Sequence, residues 1–167
     1  MEKTEGRIRE LESIVKKYLE NEGEGASTTT ITVDGLPPLF IEPLIFYGLH
    51  LDLMEPGRVV FSMKIPPRLL SQNGKYLHGG AIVTLVDVIG AAAIPAAGFP
   101  MDSGVSLEIN VSHLGAAYVH EEIEIDAKVL RVGKVIAVVS VDFRKKMTGQ
   151  IFAQGRHTKF LPISSKM

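Results

Sequence analysis

The chain has 167 residues, 46% of them hydrophobic, with a mean hydropathy of +0.18 and a formal net charge of −1. That length suits one domain with a full core and not two ordinary ones, and the hydrophobic share points to surface buried between subunits. A near-zero charge and an aromatic share of 7% without Trp argue against nucleic acid or an anionic membrane as partner, and the absence of Cys excludes disulfides, thiolate nucleophiles and cysteine zinc sites.

Residues 4–21 place Ile8, Leu11, Ile14, Val15, Tyr18 and Leu19 at helical spacing between charged residues. This predicts an amphipathic helix lying on the body of the protein. Its charges leave no apolar run for a secretory signal. A polar linker at 22–27, strand character at 28–33 and the break Pro37-Pro38 follow. The expected organisation is an N-terminal helix and linker over 1–40, a main domain over 41–162 and a tail over 163–167.

Residues 46–54 and 58–65 read as strands around the hairpin signal Glu55-Pro56-Gly57. Residues 66–75 read as a loop, and a helix then runs from Gly79 to about Ile94, ending near Pro95. The apolar run 81–97 is broken by Asp87, Gly90 and Pro95 and falls short of the roughly 20 residues of a membrane span, so a soluble protein is expected. Residues 105–113, 119–130, 134–143 and 151–160 alternate as strands, with turns at 131–133 and 146–149. The pattern is two strands, one long helix, then four strands in a meander. A helix apolar on nearly every face must be covered on nearly every side. An antiparallel sheet curled round it, an α+β domain whose edges pair with a second copy, meets that need.

The stretch Leu77-His78-Gly79-Gly80-Ala81-Ile82-Val83-Thr84-Leu85-Val86-Asp87 carries the chemistry. A carboxylate inside an apolar helix costs free energy unless something there satisfies or needs it. Glycines at a helix start expose backbone N–H groups that can hold a carbonyl oxygen or an anion. A base and an oxyanion donor on one helix suggest hydrolysis of an acyl compound. His78 competes as a base but reads first as a hydrogen-bond partner fixing the turn. No Gly-x-Ser-x-Gly elbow and no glycine-rich phosphate loop occurs. His50, His78, His113, His120 and His157 lack metal-site spacing, so no metal and no tightly bound cofactor are expected.

Three blocks resemble one family: His78-Gly79-Gly80 with Thr84-Leu85-Val86-Asp87, Val105-Ser106-Leu107-Glu108-Ile109-Asn110-Val111, and Ala153-Gln154-Gly155-Arg156-His157-Thr158-Lys159. Over about residues 46–161 the chain is similar to the hotdog-fold acyl-CoA thioesterases of the acyl-CoA thioesterase 13-like and phenylacetate-pathway (PaaI-like) kind. The resemblance implies a hotdog fold and hydrolysis of acyl-CoA thioesters to free CoA and a carboxylic acid, with CoA entering as part of the substrate. It makes Asp87 the general base or the nucleophile, of which the base is preferred here. The Gly79 amide then polarises the thioester carbonyl, and the Ser106 hydroxyl orients water. An Asn stands six residues before the His in the family; here that position is Gln72, with Asn73 one later and Gly74 four before His78. Either side chain can donate to the carbonyl, and Asn73 is the candidate.

Arg131 and Lys134, flanking Gly133, match positions near the CoA head group, and Arg156, His157 and Lys159 form a second basic cluster. Gly80, His113, Arg156 and Phe160 are also counted as substrate-binding. The resemblance further implies a homodimer or a homotetramer built as a dimer of dimers, the helix motif of one subunit facing Ser106 of the other. A non-catalytic acyl-CoA-binding protein on the same fold is the alternative. The last residues, Ser165-Lys166-Met167, resemble a peroxisomal address; cytoplasmic is the other expectation.

Overall fold

A computed structural model of the protein describes residues 2–21, 41–101 and 104–161. The linker at 22–27, the strand at 28–33, Pro37-Pro38 and Ser165-Lys166-Met167 lie outside the described residues. Two helices, α1 (Glu2–Asn21) and α2 (Ile41–Phe46), precede the hairpin of β1 (Leu49–Glu55) and β2 (Arg58–Lys64). The long helix α3 (Gly79–Ala96) follows, and then β3 (Val105–His113), β4 (Glu122–Val132), β5 (Ile136–Lys145) and β6 (Ile151–Phe160).

All six strands form one antiparallel sheet in the order β1-β2-β4-β5-β6-β3. The concave face holds α3, which buries Leu85, Val86, Ile89, Ala93 and Ile94 against Val59, Phe61, Ile125, Val139 and Val141 of the strands. By length and composition α3 could cross a membrane, but its packing makes it the core helix of a sheet-wrapped domain. The helix sits close because glycine receives it. A Cβ built on Gly155 of β6 would stand 2.6 Å from Val86 Cγ2, inside any allowed contact. This is the α+β, helix-in-sheet arrangement of the hotdog fold, and α1 is an addition resting on β1 and α3 through buried Leu11.

The structure corrects three readings of the sequence. Residues 41–46 are helical, with Pro43 in the first turn where a missing N–H costs nothing, so the first strand starts at Leu49 and not at 46. β4 starts at Glu122, because Val119 and His120 belong to a turn in which His120 has φ 67° and the Glu121 carboxylate accepts from the Tyr118 amide at 2.7 Å. The last four strands are not a meander. β3 pairs with β6 at the sheet edge, while β4 pairs with β2 and β5. Residues 114–121 make the crossing beside the segment that leads into α3, tied by Leu77 N–H to the Ala117 carbonyl at 2.9 Å. That crossing brings β3 alongside Asp87.

Candidate active site

The helix entrance is built by His78. Its backbone is extended (φ −67°, ψ 135°), and its Nδ1 accepts from the Gly80 N–H at 2.9 Å, as an N-cap does. Its carbonyl accepts from Ala81 and Ile82 at 3.0 and 3.2 Å. Three of the first four helix amides are thereby engaged. The Gly79 N–H has no partner among the described residues, and the positive end of the helix adds to its pull on an anion. The ring of His113 lies beside it, its Cε1 3.5 Å from where a Gly79 side chain would begin. Gly80 is exposed next to it.

Two turns further on, the Asp87 side chain is 45% exposed. Its Oδ1 accepts a hydrogen bond from Ser106 Oγ at 3.1 Å, and Ser106 Oγ lies 2.9 Å from His157 Nε2. The same Nε2 is 3.3 Å from Asp87 Oδ1. Both residues on Asp87 come from its own chain, so Ser106 is not reserved for a facing subunit. Ser106 reaches inward because of a β-bulge. Leu107 is the extra residue between the pairs Ser106–Lys159 and Glu108–Thr158, and without it the strand would turn Ser106 to the outer face.

His157, which the sequence reading placed only in a basic cluster, is the third member of this contact group. Its ring is fully buried on the helix side of β6, packed where Gly90 leaves room; a Cβ there would stand 3.2 Å from Nδ1. Burial first, and then the nearby Lys159 charge, push its pKa below the ordinary histidine value, against the opposite pull of Asp87. The ring is therefore neutral at physiological pH. Among the described residues Nδ1 has no well-formed hydrogen bond, and the backbone of Asp87 and Val86 adds to the pull of the Asp87 charge toward a protonated ring. That geometry excludes a serine-nucleophile relay, in which a carboxylate grips the ring nitrogen opposite the one facing serine. Here carboxylate and hydroxyl share one nitrogen.

The other candidates scatter. Asn73 Oδ1 closes its own loop, accepting from Ser71 Oγ at 2.6 Å and from the Lys75 N–H at 3.1 Å. Its amide NH2 stays available, whereas Gln72 is exposed with no bond among the described residues. The basic cluster on β6 divides by strand alternation: His157 and Lys159 are buried toward α3, while Arg156 and Phe160 are exposed on the opposite face. Arg131 is the last residue but one of β4, and Lys134 lies in the turn after it; both are exposed and three strands from β3.

Comparison with known proteins agrees with this architecture. Residues 74–152 match the family described as the thioesterase superfamily. Acyl-coenzyme A thioesterase 13 of Homo sapiens is 43% identical over 108 residues, 64% of this chain and 74% of that protein. The crystal structure of zebra fish thioesterase superfamily member 2 superposes with a TM-score of 0.72 at 31% identity, covering 89% of this chain and 96% of that one. A Streptococcus mutans protein solved bound to acetyl CoA gives a TM-score of 0.64 at 25% identity, over 70% of this chain and 90% of that one. The chain belongs to the thioesterase superfamily and is a thioester hydrolase with the hotdog fold.

Proposed function

We propose that the protein hydrolyses acyl-CoA thioesters to free CoA and a carboxylic acid. The observation that carries the reading is Asp87, a half-exposed carboxylate in the core helix, held by the Ser106 hydroxyl. Neutral water is a weak nucleophile and needs a base beside the carbonyl. Asp87 takes a proton from water that Ser106 orients, and the water oxygen bonds to the thioester carbon. The carbonyl electrons move onto oxygen, where a preorganised N–H stabilises them. Collapse breaks the C–S bond, and the CoA sulfur leaves with the proton returned by Asp87. The acyl-CoA thioesterase name of the Homo sapiens relative and the acetyl CoA held by the Streptococcus mutans structure support CoA as the leaving group.

The Gly79 amide serves as that N–H donor, but not on the same chain's Asp87. Eight helix residues separate the two, about 12 Å of rise, too far for one carbonyl. A second copy supplies the missing half. The edge strand β3 exposes Val105 (68%) and Leu107 (57%) beside Ser106, an apolar edge suited to pairing with another β3. The working unit is then a homodimer, with Gly79 of one copy opposite Asp87 and Ser106 of the other, and two dimers form the tetramer. Asn73 donates to the same carbonyl, and Arg131 and Lys134 meet the charged end of CoA.

Acyl-CoA mixed with the protein and a thiol reagent tests the reading. Continued release of free CoA, many equivalents per subunit, is the expected result. Binding without release identifies a non-catalytic acyl-CoA-binding protein instead. A fully active monomer at nanomolar concentration in sedimentation overturns the composite site.

A further inference from the structure

The mechanism above uses Asp87 and Ser106 and leaves His157 without a task, although its buried ring reaches both. The two partners of the hydroxyl differ in how firmly they are held. Ser106 is exposed, beside the bulge of an edge strand, and a serine hydroxyl left to itself turns between its acceptors and water. His157 is anchored on both sides, its backbone paired with Ile109 of β3 and Val139 of β5. From α3, Gly90 makes the space for the ring: a Cβ there would stand 3.2 Å from Nδ1 and 3.4 Å from the His157 Cβ. An alanine would favour the helix but crowd the ring.

Counting hydrogens assigns the ring proton. In its basic form Asp87 only accepts, so Ser106 donates across the 3.1 Å between Oγ and Asp87 Oδ1. A hydroxyl has one proton, so at 2.9 Å from Nε2 Ser106 Oγ accepts, and a neutral ring carries its proton on Nε2. The same nitrogen is 3.3 Å from Asp87 Oδ1. Both contacts fall on Oδ1. Oδ2 makes no hydrogen bond among the described residues, on a side chain 45% exposed.

We propose that His157 is a positioning residue of this thioester-hydrolysing site: its buried Nε2–H holds the Ser106 hydroxyl with its proton on Asp87 Oδ1, so that Oδ2 is the oxygen left to take a proton from water. The proposal rests on the thioesterase reading above. The ring acts through Ser106 and takes no proton itself. It lends the fixed geometry of an inner strand to a hydroxyl on the sheet edge.

His157→Asn and His157→Gln, each checked for folding, separate this role from packing. The glutamine amide nitrogen reaches to where Nε2 stands, whereas that of asparagine stops near Nδ1. In His157→Asn kcat for acyl-CoA falls about 10–100-fold with little change in KM, and His157→Gln recovers most of that loss. In a Ser106→Ala background the same Asn substitution costs less than about threefold, because the hydroxyl it served is gone. Nitrogen NMR of the wild type finds the ring proton on Nε2, and Ser106→Ala moves that signal; this readout needs no His157 variant to fold. A ring protonated on Nδ1 or a folded Asn variant with near-normal kcat overturns the proposal. So does a Gln variant as slow as the Asn one, or an Asn loss undiminished in the Ser106→Ala background. Should the wild type release no CoA, the thioesterase reading fails, while the ring proton and its response to Ser106→Ala still decide the hydrogen bond.

Discussion

The two faces of the sheet carry charge in opposite ways. On the outer face Asp126 is buried to 3% exposure, yet Arg58, Lys128 and Arg144 engage it at 2.9, 3.1 and 3.3 Å. Arg144 also reaches Asp142 at 2.6 Å, and Gln154 donates to the same carboxylate at 2.8 Å. Every buried charge there has its partner. On the inner face Asp87 is half-open, and among the described residues His157 Nδ1 is the one buried side-chain polar atom without a hydrogen-bond partner. A fold that satisfies its polar groups on one side of a strand and leaves them unsatisfied on the other marks the second side for chemistry.

The largest expected effect breaks the inner cluster without touching the outer one. Asp87→Asn keeps shape and removes the proposed base, so kcat should fall about 10²–10⁴-fold while KM and thermal stability change little. Ser106→Ala should cost less, because in the proposed mechanism the hydroxyl orients water and takes no proton. Near-normal turnover by Asp87→Asn with several acyl-CoAs would make the helix carboxylate structural.

Those two residues also show how far the sequence could be read. Asp87 was legible, because a lone carboxylate among apolar helix residues is an anomaly in itself. Strict alternation set β3 and β6 at their observed bounds. Ser106 came only from resemblance, since the bulge at Leu107 inverts the facing that period-two alternation assigns it. His157 was hidden among Arg156 and Lys159 as a basic cluster. Alternation along 151–160 was the available signal: it separates Arg156, outside, from His157 and Lys159, inside. The edge position of β3 was not legible, because local pattern does not reveal which strand a crossing will meet.

Gly155→Ala probes the layer between the faces. Its new Cβ would meet Val86 Cγ2 at 2.6 Å and Cγ1 at 3.0 Å, so helix or strand must shift. Overpacking of this kind costs about 1–3 kcal/mol, read from urea unfolding. An unchanged midpoint would mean that α3 is not seated on β6 as described.

On the outer face, Asp126→Asn should leave kcat unchanged and cost roughly 1–2 kcal/mol, less than a fully buried pair because Arg58 and Lys128 are 34% and 46% exposed and regain water. Burial works to raise the Asp126 carboxyl pKa, but hydrogen bonds from Arg58 and Lys128 outweigh it and hold the group below its ordinary value. The stabilisation is therefore complete above an unfolded pKa near ~3.9 and is lost as pH falls through the folded value. Acid unfolding curves of Asp126→Asn should be flatter than the wild type in that window. A lower kcat in this variant would join the two faces that the comparison separates.

The smallest effect reads the inner face through stability alone. His157 is held neutral in the folded protein, its pKa below the ordinary value through burial and then Lys159. In the unfolded chain the ring binds a proton near ~6.5, so below that pH the unfolded state holds more protons than the folded one. Stability is complete above the unfolded value and falls as pH drops below it, at no more than about 1.4 kcal/mol per unit for one proton. His157→Gln removes that proton from the balance. Its unfolding free energy should decline less between about pH 7 and pH 5.5 than the wild type's does, in urea titrations at matched ionic strength. Taking the difference between the two chains cancels the remaining histidines, Asp126 and the rest of the outer network. Equal slopes would show that the buried ring exchanges its proton as freely as an unfolded one, and the inner face would then be no less satisfied than the outer.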